Sequence, residues 1–164
     1  MAIIFGTGGN DFLTGGAARD IILGFGGADR LAGGAGGDVL VGGGGGDILT
    51  GGLGKDFLVG GAGFDRFDYN TVAQSPAGEG ARDVILDFDG NGAAAGDFID
   101  LSTIDANLNV GGNQAFTLAQ LNYNAGTGIL SVNVFGDPGA VDLQIELDDA
   151  PPLDIVGVTN DIIL

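Results

Sequence analysis

The chain has 164 residues, 35 of them glycine, and a formal net charge of −17; twenty aspartates stand against two glutamates, Glu79 and Glu146. That charge argues against nucleic acid and anionic membrane surfaces as partners and favours cations, and short Asp carboxylates suit a hard, oxygen-seeking ion such as Ca2+. Histidine and cysteine are absent, which removes Ser/His and Cys/His catalysis and His-ligated zinc. No apolar run reaches membrane-spanning length, and the start, MAIIFGTGGNDFLT, has neither the basic nor the long apolar region of a secretory signal peptide. Lack of cysteine fits a cytosolic protein, or an extracellular one held by metal in place of disulfides.

Glycine at this level, without order, would describe a flexible tract. Order is present. From Gly6 the segments GTGGNDFLT, GGAARDIIL, GFGGADRLA, GGAGGDVLV, GGGGGDILT, GGLGKDFLV and GGAGFDRFD follow without a gap to Asp68. The sixth place is always Asp: Asp11, Asp20, Asp29, Asp38, Asp47, Asp56 and Asp65. The eighth is always large and apolar, from Leu13 and Ile22 to Phe67. The last three places predict a short strand with its middle side chain inward and its flanks outward. The glycines supply turn geometry and close backbone approach. Two repeats make one coil of eighteen residues, which predicts an all-β fold: a right-handed parallel β-roll, a two-sheet solenoid, over residues 1–68.

The period of eighteen also separates two faces. In the even repeats the outward places hold Ile21/Leu23, Val39/Val41 and Phe57/Val59; in the odd ones they hold Phe12/Thr14, Arg30/Ala32, Ile48/Thr50 and Arg66/Asp68. An apolar outer face on the even sheet predicts a cover, with residues 69–164 as its best source.

The nonapeptide GGxGxDxUx resembles the RTX (hemolysin-type) calcium-binding repeat. The resemblance implies Ca2+ between loops one coil apart, held by the seven repeat aspartates and by main-chain carbonyls. Those carbonyls belong to place one (Gly6, Gly15, Gly24, Gly33, Gly42, Gly51, Gly60) and place two (Gly16, Gly34, Gly43, Gly52). They belong also to place three (Gly8, Ala17, Gly26, Ala35, Gly44, Leu53, Ala62) and place four (Gly9, Gly27, Gly36, Gly45, Gly54). One row of aspartates then has three gaps and the other two, which implies about five internal ions. Thr7 and Phe25 replace the second glycine of their repeats and Ala18 a fourth-place glycine, so the outer coil is expected to bind calcium more weakly.

Beyond Asp68 the register stops. A Ser/Pro/Gly loop near TVAQSPAGEGA precedes strand-like runs at Val84–Phe88, Phe98–Leu101, Ile129–Phe135, Leu143–Leu147 and Ile162–Leu164. These predict an irregular β-sandwich-like cap over residues 69–164. The string RDVILDFDGNGAAAGDFIDLSTIDAN, with FTLAQLNY and VDLQIELDD, resembles the C-terminal domain of serralysin-type secreted metalloproteases. The end, Asp161-Ile162-Ile163-Leu164, is similar to that family's uncleaved export signal. The resemblance implies a bacterial extracellular location, the type I secretion apparatus as partner, and a covalently linked N-terminal cargo domain.

Other chemistry finds less support. Asp148/Asp149 and Asp97/Asp100 could form acid/base pairs, but solvated or calcium-contacting roles are simpler, and no catalytic residue is assigned. Gly54-Lys55 is followed by Asp56 where a phosphate loop needs Ser or Thr. Asp87-Phe88-Asp89-Gly90-Asn91-Gly92 matches the first half of an EF-hand loop, yet its twelfth place is Phe98 instead of Glu. An extra ion near Asp83, Asp87 or Asp97, closing the roll, is a further expectation.

The expected function is a calcium-binding module that stays open while calcium is scarce, folds on meeting calcium outside the cell, and carries the secretion signal of an exported protein. Two alternatives come from other classes. One is a carbohydrate-binding accessory module of a secreted polysaccharide-modifying enzyme, for which an exposed Tyr69 or Tyr123 would speak. The other is a calcium-dependent surface or adhesion protein associating through the apolar even sheet.

Overall fold

The computed structural model describes residues 1–89, 96–104, 120–134, 141–149, 153 and 161–164. Eight strands precede Tyr69: β1 (Ile3–Phe5), β2 (Phe12–Thr14), β3 (Ile21–Gly26), β4 (Arg30–Ala35), β5 (Val39–Gly44), β6 (Ile48–Leu53), β7 (Phe57–Ala62) and β8 (Arg66–Asp68). After a 3-10 turn at Val72–Gln74 come β9 (Asp83–Ile85), β10 (Phe98–Asp100), β11 (Leu121–Asn124), β12 (Ile129–Val132), β13 (Leu143–Leu147) and β14 (Ile162–Ile163). Odd and even repeats sort into two sheets. One runs β1-β3-β5-β7-β9-β13-β12-β11 and the other β14-β10-β8-β6-β4-β2.

The repeat strands pair in parallel with a register of eighteen, Ile22 opposite Leu40 and Leu31 opposite Leu49. The architecture is a parallel β-roll. Because successive repeats feed opposite sheets, the eighth-place side chains of both meet in one core. Ile22, Leu31, Leu40, Leu49, Leu58 and Phe67 are at most 1% exposed. Leu13 and Ile4 are only partly buried, since they stand in the first coil with no coil beyond them among the described residues. The central strands span six residues instead of three, running on through the first three places of the next repeat. The glycine loops themselves pair, Gly43 opposite Gly61.

The C-terminal half caps the roll by continuing its sheets edge-on. β9 adds to β7 with Ile85 opposite Leu58, and β10 adds to β8 with Ile99 opposite Phe67. β13 follows β9 in parallel, and β12 and β11 complete an antiparallel meander. Of the described strands of this half, β9, β13, β12 and β11 therefore extend the even sheet, on which the sequence places a lid, and β10 and β14 extend the odd one. Ile21, Leu23, Val39, Val41, Phe57 and Val59 are each half-buried. Ile21, Val39 and Phe57 form one ladder and Leu23, Val41 and Val59 another, so stacked neighbours shield one another's flanks.

Single-row core packing makes a graded prediction. Leu40→Ala, in the fully enclosed middle of the roll, should lower stability in saturating calcium by about 2–5 kcal/mol. Leu13→Ala, in the half-open first coil, should cost clearly less. Urea unfolding followed by circular dichroism measures both, and equal losses would contradict a core whose enclosure falls toward the first coil.

Candidate metal centre

Each repeat aspartate is the last loop residue before a strand, where the eighteen-residue register stacks it on the aspartate of the next coil. The backbone N–H of Asp11 donates to Oδ1 of Asp29 at 2.8 Å, Asp20 to Asp38 at 2.7 Å, Asp29 to Asp47 at 2.8 Å, Asp38 to Asp56 at 2.7 Å and Asp47 to Asp65 at 2.8 Å. One carboxylate oxygen thus ties two coils together. The other is left over: Oδ2 of Asp29, Asp38, Asp47, Asp56, Asp65 and Asp83 is buried without a hydrogen-bond partner.

The space around these oxygens is shaped by glycine. A Cβ on Gly42 would strike Asp47 Oδ2 and lie 2.7 Å from the Gly60 carbonyl oxygen of the next coil. The same pairing of own-repeat carboxylate and next-coil carbonyl recurs at Gly6, Gly15, Gly24 and Gly33, giving five equivalent cradles. Further along the loop the need is conformational. Gly43 and Gly45 have φ of 114° and 124°, values that L side chains avoid. Alternating positive φ at places two and four turns successive carbonyls in different directions. Phe25 occupies such a position with φ 75°, a strain of order 1–3 kcal/mol, and its ring stacks on Phe5 at 6.1 Å.

The first coil differs. No residue of its two loops has positive φ. Asp11 Oδ2 accepts from the N–H and hydroxyl of Thr7 at 2.6 and 2.9 Å, and Asp20 Oδ2 accepts from the Gly16 N–H at 2.8 Å. These carboxylates already have partners where the inner ones have none.

Two further aspartates join the rows from beyond the seven repeats. The Asp56 N–H donates to Asp83 Oδ1 at 2.8 Å and the Asp65 N–H to Asp97 Oδ1 at 3.0 Å. A signal was available in the sequence, since residues 78–86 read GEGARDVIL and residues 92–100 read GAAAGDFID, two worn nonapeptides displaced by insertions. β1 was equally readable, because Ile4 precedes Ile22 by eighteen. Asp87 ends the odd row in another way: its two carboxylate oxygens accept from the Gly60 and Gly61 N–H groups at 2.9 and 2.8 Å. The remainder of the EF-hand-like string, residues 90–95, lies outside the described residues.

Burial controls the charge of the rows. Asp20, bonded by the Gly16 and Ala2 N–H groups, titrates below the usual carboxylate range. Burial pushes Asp38 and Asp47 up, and pushes Asp56 and Asp65 to about 6, with the charge of Asp38 adding at Asp56 and those of Asp97, Asp47 and Asp87 at Asp65. Asp83 is driven to about 8 by burial and by the charge of Asp56. The buried Tyr69 hydroxyl lies beside Asp83, near enough to influence its titration but without a well-formed hydrogen bond.

These residues fit calcium. Unpaired buried carboxylate oxygens are costly without a counter-charge, and each cradle adds a main-chain carbonyl, the oxygen donor set a hard cation takes. Among the described residues no three Asp or Glu side chains converge as a ready cage, so an ion here must draw many of its ligands from the backbone. The remaining sequence candidates fall elsewhere. Asp148 and Asp149 are exposed, and Asp100 is buried and pairs with Arg66 at 3.3 Å. Tyr69 is 1% exposed, which removes it as a surface platform, and Tyr123 is half-buried.

Two measurements probe the cradles. Gly42→Ala should lower the calcium stoichiometry and destabilise the loaded roll by about 1–3 kcal/mol, whereas Gly8→Ala, which meets nothing within 4 Å, should change stability by less than about 0.5 kcal/mol. The second concerns protons. A carboxyl titrating higher in the roll than in the open chain stabilises folding fully below its open-chain value, and that contribution is lost as pH rises through the folded value. For Asp56 and Asp65 that is about 6 and for Asp83 about 8. In chelator, acidification through this window should raise the β-sheet circular dichroism signal; a flat response would contradict the burial of these groups.

Comparison with known proteins gives the array its family. The RTX calcium-binding nonapeptide repeat (4 copies) matches residues 5–40 and 33–67. No curated protein sequence matches the chain. Among solved structures, the chain is similar to the AlgE6R3 subunit of the Azotobacter vinelandii mannuronan C5-epimerase, with 29% identity over 92% of this chain and 77% of that one and a TM-score of 0.42. It is also similar to the AlgE6R2 subunit of the same organism's epimerase, with 27% identity over 97% and 92% and a TM-score of 0.44. Residues 5–67 thus match the RTX calcium-binding nonapeptide repeat, and those repeats fold as a parallel β-roll.

Proposed function

We propose that the chain is a calcium-triggered folding module of an exported protein, acting by binding and not by catalysis. The observation that carries this reading is the set of six buried carboxylate oxygens left without partners. In the absence of cation their repulsion and the entropy of the glycine loops oppose the roll. Calcium supplies the missing partner, so metal binding and folding become one event.

The proposed ligands are the seven repeat aspartates and the carbonyls at places one to four. About five ions fill the gaps Asp11–Asp29, Asp29–Asp47, Asp47–Asp65, Asp20–Asp38 and Asp38–Asp56. The gaps bounded by Asp11 and Asp20 bind more weakly, because both carboxylates are already engaged by their own loops. The two rows close differently. Asp83 ends the even row beside a buried phenol, while in the odd row the charges of Asp97 and Asp87 act on Asp65, which favours one more cation near that end.

The secretion reading rests on Asp161-Ile162-Ile163-Leu164. In the folded chain Ile162 and Ile163 form β14, paired with β10, and Asp161 is 2% exposed. An export signal at this end is therefore read before folding, by the type I apparatus, and is locked into the odd sheet once calcium is met outside the cell. A covalently linked N-terminal cargo domain belongs to the same reading.

Far-UV circular dichroism against calcium concentration tests the folding step. Each ion joins two coils, so the transition should be cooperative, with a Hill coefficient above one. A complete β signal in excess chelator at neutral pH would sink the proposal.

A further inference from the structure

The C-terminal meander carries a cleft that the calcium array does not use. It measures about 520 Å3 and lies along β11, β12 and β13, lined by Asn122, Tyr123, Asn124, Ile129, Ser131 and Gln144 among others. In a chain of net charge −17 no Asp, Glu, Lys or Arg lines it among the described residues. We propose that this cleft is a binding site for a neutral carbohydrate.

Pairing places the polar groups on one face: Asn122 stands opposite Ser131, which stands opposite Gln144, and Asn124 stands opposite Ile129. Several are already oriented. Gln144 Oε1 accepts from the Gly78 N–H at 3.0 Å and its amide nitrogen donates to Ser131 Oγ at 3.1 Å. That leaves the Ser131 hydroxyl proton and one Gln144 proton for a ligand. Asn124 Oδ1 accepts from the Gly126 N–H at 2.9 Å, so its amide nitrogen keeps both protons free. Asn122 is exposed, and its side chain makes no hydrogen bond with the described residues.

The cleft consequently offers mainly fixed N–H and O–H donors, with Ile129 as apolar surface beside them; Tyr123, opposite Leu130 on the other face of β11, packs toward the core. A sugar ring matches both halves, hydroxyl and ring oxygens toward the amides and its C–H face toward Ile129. Charged alternatives fare worse. A phosphate or uronate would find no cation in the lining and the field of a strongly acidic protein around it. Arg82, the basic residue bonded to neighbouring β13, is engaged by Glu146 at 2.8 Å.

The test uses the calcium-saturated full chain and NMR titration with short neutral oligosaccharides of glucose, mannose and galactose, alongside oligouronates. A neutral oligosaccharide should produce saturable shifts at Asn122, Asn124, Ser131 and Gln144, with affinity in the range of about 1 mM or better. Asn122→Ala removes an exposed side chain that the fold does not use. It should weaken binding roughly fivefold or more while leaving the calcium titration unchanged. The proposal is overturned by the absence of shifts up to about 10 mM, by oligouronates binding as tightly as neutral sugars, or by affinity that Asn122→Ala leaves intact. Calcium-dependent folding is read separately by circular dichroism, so loss of one result does not imply loss of the other.

Discussion

The structure depends on one contact repeated every eighteen residues: an aspartate carboxylate accepting the backbone N–H of the aspartate one coil earlier. That bond consumes Oδ1 and holds the side chain along the stacking axis, which leaves Oδ2 buried beside the next coil's carbonyl. Shortness of the side chain matters, since a longer acid could swing to solvent and escape. The glycine at place one exists to leave room for this oxygen. The apolar residue at place eight then fills the thin core between the two sheets. An array built this way is incomplete as protein alone, because each coil brings a buried acid that its own polar groups do not satisfy.

The two ends of the roll treat that deficit differently. At the first coil the loops relax from the positive-φ conformation and their own N–H groups occupy Asp11 and Asp20. Toward the cap, burial deepens and the carboxyls become harder to ionise, from Asp20 below the usual range to Asp83 at about 8. Affinity for a proton therefore rises toward the cap. The cap contributes the side chains that end the rows, Asp83 with Tyr69 on one and Asp87 with Asp97 on the other, and its strands carry the sheets past the last repeat.

Most of the roll was legible because its period appears in the residues that face inward and in those that bear charge. Leu40 is core and Asp38 is stacked for reasons visible nine residues away in either direction. The cap was legible only as strands. Leu143–Leu147 alternates and forms β13 over the same residues, but nothing local says that it lies parallel to β9. The worn repeats around Asp83 and Asp97 escaped because unpatterned residues separate them from the array: Asp83 stands 27 residues beyond Asp56, still a multiple of nine but not of eighteen, and Asp97 stands 32 beyond Asp65, out of phase altogether, although the sixth- and eighth-place residues persist. The half-burial of the even face has a source within the sheet itself. A row of apolar side chains on a parallel sheet covers its own flanks, a shielding that a face-by-face reading of the sequence does not count.

The alternation of repeats between sheets fixes how such a chain can change length. Removing eighteen residues from the middle of the array deletes a whole coil and returns every strand to its own sheet. Removing nine would transfer each later strand to the opposite sheet, bringing Arg66 and Asp68 where Phe57 and Val59 now stand and separating Asp65 from the cap residues that meet it. The module is thus quantised in coils although its sequence repeats in half-coils. A change of length that keeps every strand in its own sheet therefore adds or removes nonapeptides in pairs.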